Sequence, residues 1–157
     1  MTNERGPITV RPVRPDDFEA WKPLWDDYNA FYERVGPTAL PDEVTQTTWR
    51  RFFDGSEPVH CIVAVRQGRV VGICHYIYHR NTSRIEPICY LQDLYTMAEE
   101  RGHGIGRALI LATYEIAKLA GCKRVYWLTH TTNTPGRTLY DKVAKNFGFI
   151  QYAKDVE

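Results

Sequence analysis

The stretch that most constrains this chain is Leu91 to Leu111, LQDLYTMAEERGHGIGRALIL. Residues Leu91 to Met97 read as a strand. The acidic turn Ala98-Glu99-Glu100 follows, then the glycine loop Arg101-Gly102-His103-Gly104-Ile105-Gly106. Beyond it Ile105, Leu109, Ala112 and Ile116 recur at helical spacing. A strand that turns through glycines into a helix is suited to anions. The first helical N–H groups have no internal partner, and the dipole is positive there. The spacing rules out two nucleotide loops. A dinucleotide fingerprint starting at Gly102 needs glycine at 107, which is Arg107. A nucleoside-triphosphate loop needs Lys-Ser/Thr after its last glycine, and neither residue is there. Two readings remain for the loop: the phosphate-binding pattern R-x-x-G-x-G over Arg101–Gly106, and a tight turn without a ligand.

The rest of the chain reads as one α/β (α+β) domain over residues 1–157. Ile8 to Val13 alternates as a strand, and Arg14-Pro15-Asp16-Asp17 signals a helix start. Phe18, Trp21, Trp25, Tyr28 and Tyr32 form an aromatic helix stripe, read as a core face; Tyr28 and Tyr32, at its end, would alternatively line a pocket. A second helix is expected over Asp42–Phe53 with Val44, Trp49, Phe52 and Phe53 inward. His60–Val65 and Val70–His79 read as a hairpin through Gln67-Gly68-Arg69. After the strand Ile88–Met97 and the loop, the helix should end near Gly121. A buried strand Val125–Thr129, a helix from Pro135 to about Lys145 and a last strand Ile150–Ala153 complete the expectation. Hairpin-linked strands followed by a strand-helix-strand unit imply a mixed, mostly antiparallel sheet in a three-layer α/β/α domain.

A net charge of +1 gives no bulk attraction to nucleic acid or membrane. No apolar run approaches the ~20 residues of a membrane span. The opening MTNERGPITV lacks the apolar core of a secretory leader. Cys61, Cys74, Cys89 and Cys122 share no CxxC spacing and read as buried thiols of a cytoplasmic protein. No Cys/His group has zinc-ligand spacing, so no metal is expected.

A second motif lies near the C-terminus: Asn133-Thr134-Pro135-Gly136-Arg137-Thr138-Leu139-Tyr140, then Lys142 and Gly148-Phe149. Together with R-x-x-G-x-G it resembles the GCN5-related N-acetyltransferase family over nearly the whole chain. YLQDLYTM, VYWLT and LYDKV look most like the polyamine, histone and diamine acetyltransferases. The chain departs from the family at Gly136, where alanine is usual, and at Ala144, where the family's spacing places glycine.

The resemblance implies acetyl transfer from acetyl-CoA, a co-substrate, to a primary amine by direct attack in a ternary complex. The acceptor would be a polyamine, a lysine side chain or another small amine. A homodimer is the family habit. Backbone N–H groups of Gly102, His103, Gly104, Ile105, Gly106 and Arg107 would hold the pyrophosphate, with the side chains of Arg101 and Arg107. The pantetheine arm would pair with Leu94, Tyr95, Thr96 and Met97, a backbone N–H near Tyr95 facing the thioester oxygen. Asn133 would tether the arm or simply cap its helix. Tyr140 matches the acid that protonates the departing thiolate. Gln92 stands where close relatives carry a glutamate base, and Asp93 is beside it. Neighbouring strand residues face opposite ways, so both reach one pocket only across a bulge. Glu86, Asp26, Asp27 and Glu33 are further candidates for the cationic amine, or plain surface charges. Cys89 as a nucleophile has no nearby histidine in sequence. The competing functions are an acyl-CoA sensor that binds without turnover and a different nucleotide-binding enzyme.

Overall fold

The computed structural model describes residues 5–157, so the first four residues of the stretch read for a leader lie outside it. Two compact units emerge, residues 1–127 and 128–157.

In the first unit five strands form one sheet in the order β1-β2-β3-β4-β5. They are β1 (Thr9–Pro12), β2 (Val59–Arg66), β3 (Arg69–His79), β4 (Ile88–Thr96) and β5 (Val125–Tyr126). Pairing is antiparallel except between β4 and β5, which run parallel. The β2–β3 hairpin turns on two residues, Gln67 (φ 50°) and Gly68 (φ 74°). That left-handed pair matches the twist of the strands it joins.

Helix α1 (Phe18–Phe31) begins where Asp17 accepts the Arg14 N–H at 2.7 Å. It lays Trp21, Leu24, Trp25 and Tyr28 into a core with Val63 and Ile73. Helix α2 (Asp42–Arg51) adds Trp49, and Phe52 follows it. Val44 and Phe53, expected inward, are 42% and 41% exposed. The inward line runs through Thr45 and Trp49 of the helix to Phe52 just after it, which turns the adjacent Val44 and Phe53 outward. On the other sheet face lies α3 (Ile105–Leu119), with Ile105, Leu109, Ile110 and Thr113 buried. Alternation on β3 separates the layers: His75 meets Trp21 of α1, and Cys74 meets Thr113 of α3. The three-layer α/β/α arrangement with a mixed sheet is therefore as expected.

The second unit holds α4 (Thr134–Val143). Two expectations fail here. The helix ends at Val143, and Ala144 is already extended. The strand Ile150–Ala153 does not form; Phe149, Ile150 and Tyr152 are 89%, 71% and 88% exposed. A strand needs a paired neighbour for its backbone groups, and nothing within this unit supplies one. The strand expected over Val125–Thr129 is also shorter, because its ladder covers only Cys89↔Val125 and Tyr90↔Tyr126.

Candidate active site

The site is built on β4. Its register with β3 shifts between His75 and Tyr76: His75 pairs with Asp93, and Tyr76 pairs with Leu91. Gln92 is left over as a bulge. The pairing shows which way each side chain points, because partners across a ladder share a face. Leu91 lies with Tyr76 on the α3 face. Tyr90 pairs with Ile77 on the α1 face, and Gln92, two residues on, follows it. Asp93 pairs with His75, also on the α1 face. The bulge therefore sends Gln92 and Asp93 to one side of the sheet, the condition that adjacency alone forbids. Gln92 is exposed, while Asp93 is 8% exposed.

Asp93 is tightly held. Its Oδ2 lies 2.8 Å from His75 Nδ1, and the Tyr28 phenol is close enough to feel its charge. Burial, then the Asp93 charge, pushes the Tyr28 phenol far above its ordinary value, so it stays a donor. Burial also raises the Tyr90 phenol, with Tyr126, Asp93 and Tyr32 adding to it. Sequence reasoning missed His75. The available signal was a single imidazole inside the apolar run Val70–Tyr78.

Beyond the bulge, β4 has an unshared edge. Among the described residues its ladder with β5 stops at Tyr90, so Leu91 and Asp93 to Thr96 have ladder partners on β3 only. Leu94, Tyr95, Thr96 and Met97 occupy this end and are half-buried. The Met97 N–H donates to the Val71 carbonyl at 2.8 Å. The acidic turn Ala98–Glu100 is anchored from beneath, where Arg66, 3% exposed, donates to Glu100 at 3.2 Å.

The glycine loop then arches over to α3. Gly102 (φ 78°) and Gly104 (φ 85°) are both left-handed, with nothing within 4 Å of where a Cβ would sit. The Ala108 N–H is bonded to the Gly104 carbonyl at 3.0 Å. The Ile105, Gly106 and Arg107 amides come before that first helical bond. Open space above two glycines and a helix start fits a diphosphate. His103 and Arg107 are exposed, and Ile105 turns its side chain into the core. Arg101 folds back: its Nε donates to the Thr96 carbonyl at 3.3 Å, and its guanidinium lies 5.3 Å from the Tyr95 ring centre.

Asn133 and Tyr140 belong to the second unit. Asn133 Oδ1 accepts the Gly136 N–H at 3.3 Å, and its Nδ2 donates to Thr129 Oγ1 at 2.9 Å. Asn133 is thus the N-cap of α4. A Cβ at residue 136 would collide with that carboxamide, which explains glycine at this position. Tyr140 is half-buried on α4.

The remaining candidates are dispersed. Asp26 pairs with Lys22 at 2.6 Å and Glu86 with Arg84 at 3.4 Å, while Asp27 and Glu33 are exposed. The four thiols are free and buried. Burial pushes the Cys89 thiol up to about 12, which leaves it un-ionised at neutral pH. Among the described residues no helix is long and apolar enough to cross a membrane, and no group of three His, Cys, Asp or Glu is placed to hold a metal.

Comparison with known proteins bears on this geometry. Residues 21–149 match the model of the acetyltransferase (GNAT) family. The D-amino-acid N-acetyltransferase HPA3 of Saccharomyces cerevisiae is 34% identical over 157 residues, covering 99% of this chain and 94% of that one. An aminoglycoside acetyltransferase from an uncultured soil metagenomic sample superposes with a TM-score of 0.80 at 16% identity, over 96% of this chain and 97% of that one. The aminoglycoside N-acetyltransferase AAC(6')-Iy in complex with CoA gives 0.80 at 14% identity, over 99% of each chain. The chain belongs to the acetyltransferase (GNAT) family, as an acetyl-CoA-dependent acetyltransferase.

Proposed function

We propose that this enzyme moves the acetyl group of acetyl-CoA to a primary amine by direct attack, with both substrates bound together. The observation that carries the reading is the unshared edge of β4 running straight into the open glycine arch. The edge offers main-chain groups for the pantetheine arm along Leu94–Met97, in the manner of an added strand. The amides of Gly102–Arg107 receive the diphosphate. With the Met97 N–H on Val71, the Tyr95 amide two residues back also faces β3, and the Leu94 N–H, turned to the free edge, is the donor for the thioester oxygen, where negative charge develops during attack. Asn133 tethers the arm in addition to capping α4.

Proton handling falls to Asp93 and Tyr140. Asp93, with Gln92 beside it, faces the acceptor and accepts the ammonium proton. An alkylammonium near pKa 10.4 must lose it before attack. As the C–N bond forms and the C–S bond breaks, the pair of electrons leaves on sulfur. The Tyr140 hydroxyl then protonates that thiolate, the amide nitrogen loses its second proton to solvent, and solvent returns one to the tyrosinate.

The acceptor classes are polyamines, lysine side chains and small amines. The name of the yeast relative adds D-amino acids. A single-domain cytoplasmic homodimer is part of the same reading, checked by sedimentation at working concentration. The decisive experiment is release of CoA thiol across an amine panel of spermidine, lysine peptides, aminoglycosides and D-amino acids. Release with no member would favour a sensor that binds acyl-CoA without turnover. Tyr140→Phe should lower kcat about 10- to 1,000-fold while acetyl-CoA affinity changes about twofold or less, since the hydroxyl acts at the transition state. Equal losses in both would remove Tyr140 from the acid role.

A further inference from the structure

The ring of His75 sits among Phe52, Trp25 and Trp21, with centroid distances of 4.9, 5.1 and 5.8 Å. It is 2% exposed, so its orientation is fixed by packing. Both ring nitrogens have partners: Nε2 lies 2.9 Å from Trp21 Nε1, and Nδ1 lies 2.8 Å from Asp93 Oδ2. An indole N–H only donates. Nε2 must therefore carry a lone pair, and the ring proton must be on Nδ1. The Nδ1–H then donates to Asp93. Asp93 is the terminal acceptor of a chain that starts at a fully buried tryptophan.

Such a network is costly in an aromatic core if any member is left unpaired. An apolar residue at 75 would pack here without that requirement. The chain ends on the carboxylate that the bulge turns toward the α1 face, and that side chain keeps 11% of its surface exposed.

We propose that His75 is a positioning residue for acetyl transfer: Trp21 fixes its tautomer, and its Nδ1–H holds the Asp93 carboxylate as an oriented anion for the acceptor ammonium. This rests on the reading that Asp93 faces the acceptor. Because Nε2 is committed to Trp21, the imidazole presents a donor to Asp93 and leaves the negative charge for the substrate. The acceptor class that this serves is a protonated amine; a neutral nucleophile would gain nothing from the buried charge.

The test joins a spectrum with kinetics. Nitrogen chemical shifts of the wild-type imidazoles should show His75 with its proton on Nδ1. This measurement needs no variant to fold. His75→Leu, checked for a cooperative melt, should lower kcat/KM for the amine about 10- to 100-fold, because Asp93 loses a donor and its orientation. KM for acetyl-CoA should stay within about twofold, since the diphosphate cradle is untouched. His75→Asn places an amide N–H near the former Nδ1–H and should recover activity to within about fivefold of wild type. A proton found on Nε2 would overturn the proposal. So would wild-type kcat/KM in His75→Leu beside an inactive Asp93→Asn. Wild-type activity in Asp93→Asn would instead fell the reading of Asp93 itself, and the positioning role with it.

Discussion

Asp17 shows how one residue ties a helix to the sheet. The Arg11 guanidinium grips its carboxylate with both ends, at 2.7 and 3.0 Å, and the Arg14 N–H adds a third donor at 2.7 Å. The Arg11 hydrogen bond is the main cause that holds the Asp17 carboxyl below its ordinary range, against the opposing effect of burial. A depressed carboxyl stabilises the fold at pH above its unfolded value of about 3.9, and that stability is lost as pH falls through the lower folded value. Asp17→Asn should therefore destabilise the protein by about 1.5–3 kcal/mol near neutrality. The gap between variant and wild type should close in the acid range below about pH 4. Thermal melts of both proteins across pH would check this; a gap that widens on acidification would contradict it.

Elements meet closely where α3 crosses β3. A Cβ on Gly72 would lie 2.7 Å from Ile105 Cγ2, 3.1 Å from Leu109 Cδ1 and 3.3 Å from the Tyr95 carbonyl oxygen. Ile105 and Leu109 are 1% and 0% exposed and have little room to yield. Gly72→Ala should cost about 1–3 kcal/mol, read as a lower urea midpoint at unchanged slope. Ile105 is also the first residue of α3, so the same push is transmitted to the helix start. Acetyl-CoA affinity should fall with stability in this variant. A destabilised Gly72→Ala that binds acetyl-CoA as tightly as wild type would separate the helix start from the cradle. The β4 bulge works at the same scale, since one unpaired residue decides which face receives Asp93.

Across the whole molecule, burial is uneven. Among the described residues every buried one lies between positions 13 and 122, and none of residues 128–157 is buried. Local stability follows buried apolar contact. Amide exchange should be slow in α3, whose Leu109 and Ile110 are fully enclosed, and faster by orders of magnitude in α4. Saturating acetyl-CoA should raise protection in α4 if Asn133 and Tyr140 contact the coenzyme, because binding stabilises whatever it touches. Exchange measured by mass spectrometry with and without the coenzyme would decide it; unchanged α4 rates would count against both residues.

Much of this arrangement was legible in the sequence because its causes are local. The glycine spacing over Arg101–Gly106, the helical stripe from Phe18 to Tyr28 and the two-residue turn at Gln67-Gly68 depend on neighbours a few positions away. The layers and the mixed character of the sheet followed from those periods. The last strand was misread for the complementary reason: alternation at Phe149–Tyr152 suits a strand, but pairing is a property of a distant backbone. The direction of Asp93, its bond to His75 and the tautomer imposed by Trp21 also lay beyond reading. They join residues 18 and 54 positions apart. The chain alone determined that a helix would start on a bare glycine arch after an apolar strand. Only the folded sheet decided, through a one-residue slip in register, that a buried carboxylate would turn toward the tryptophans rather than toward α3.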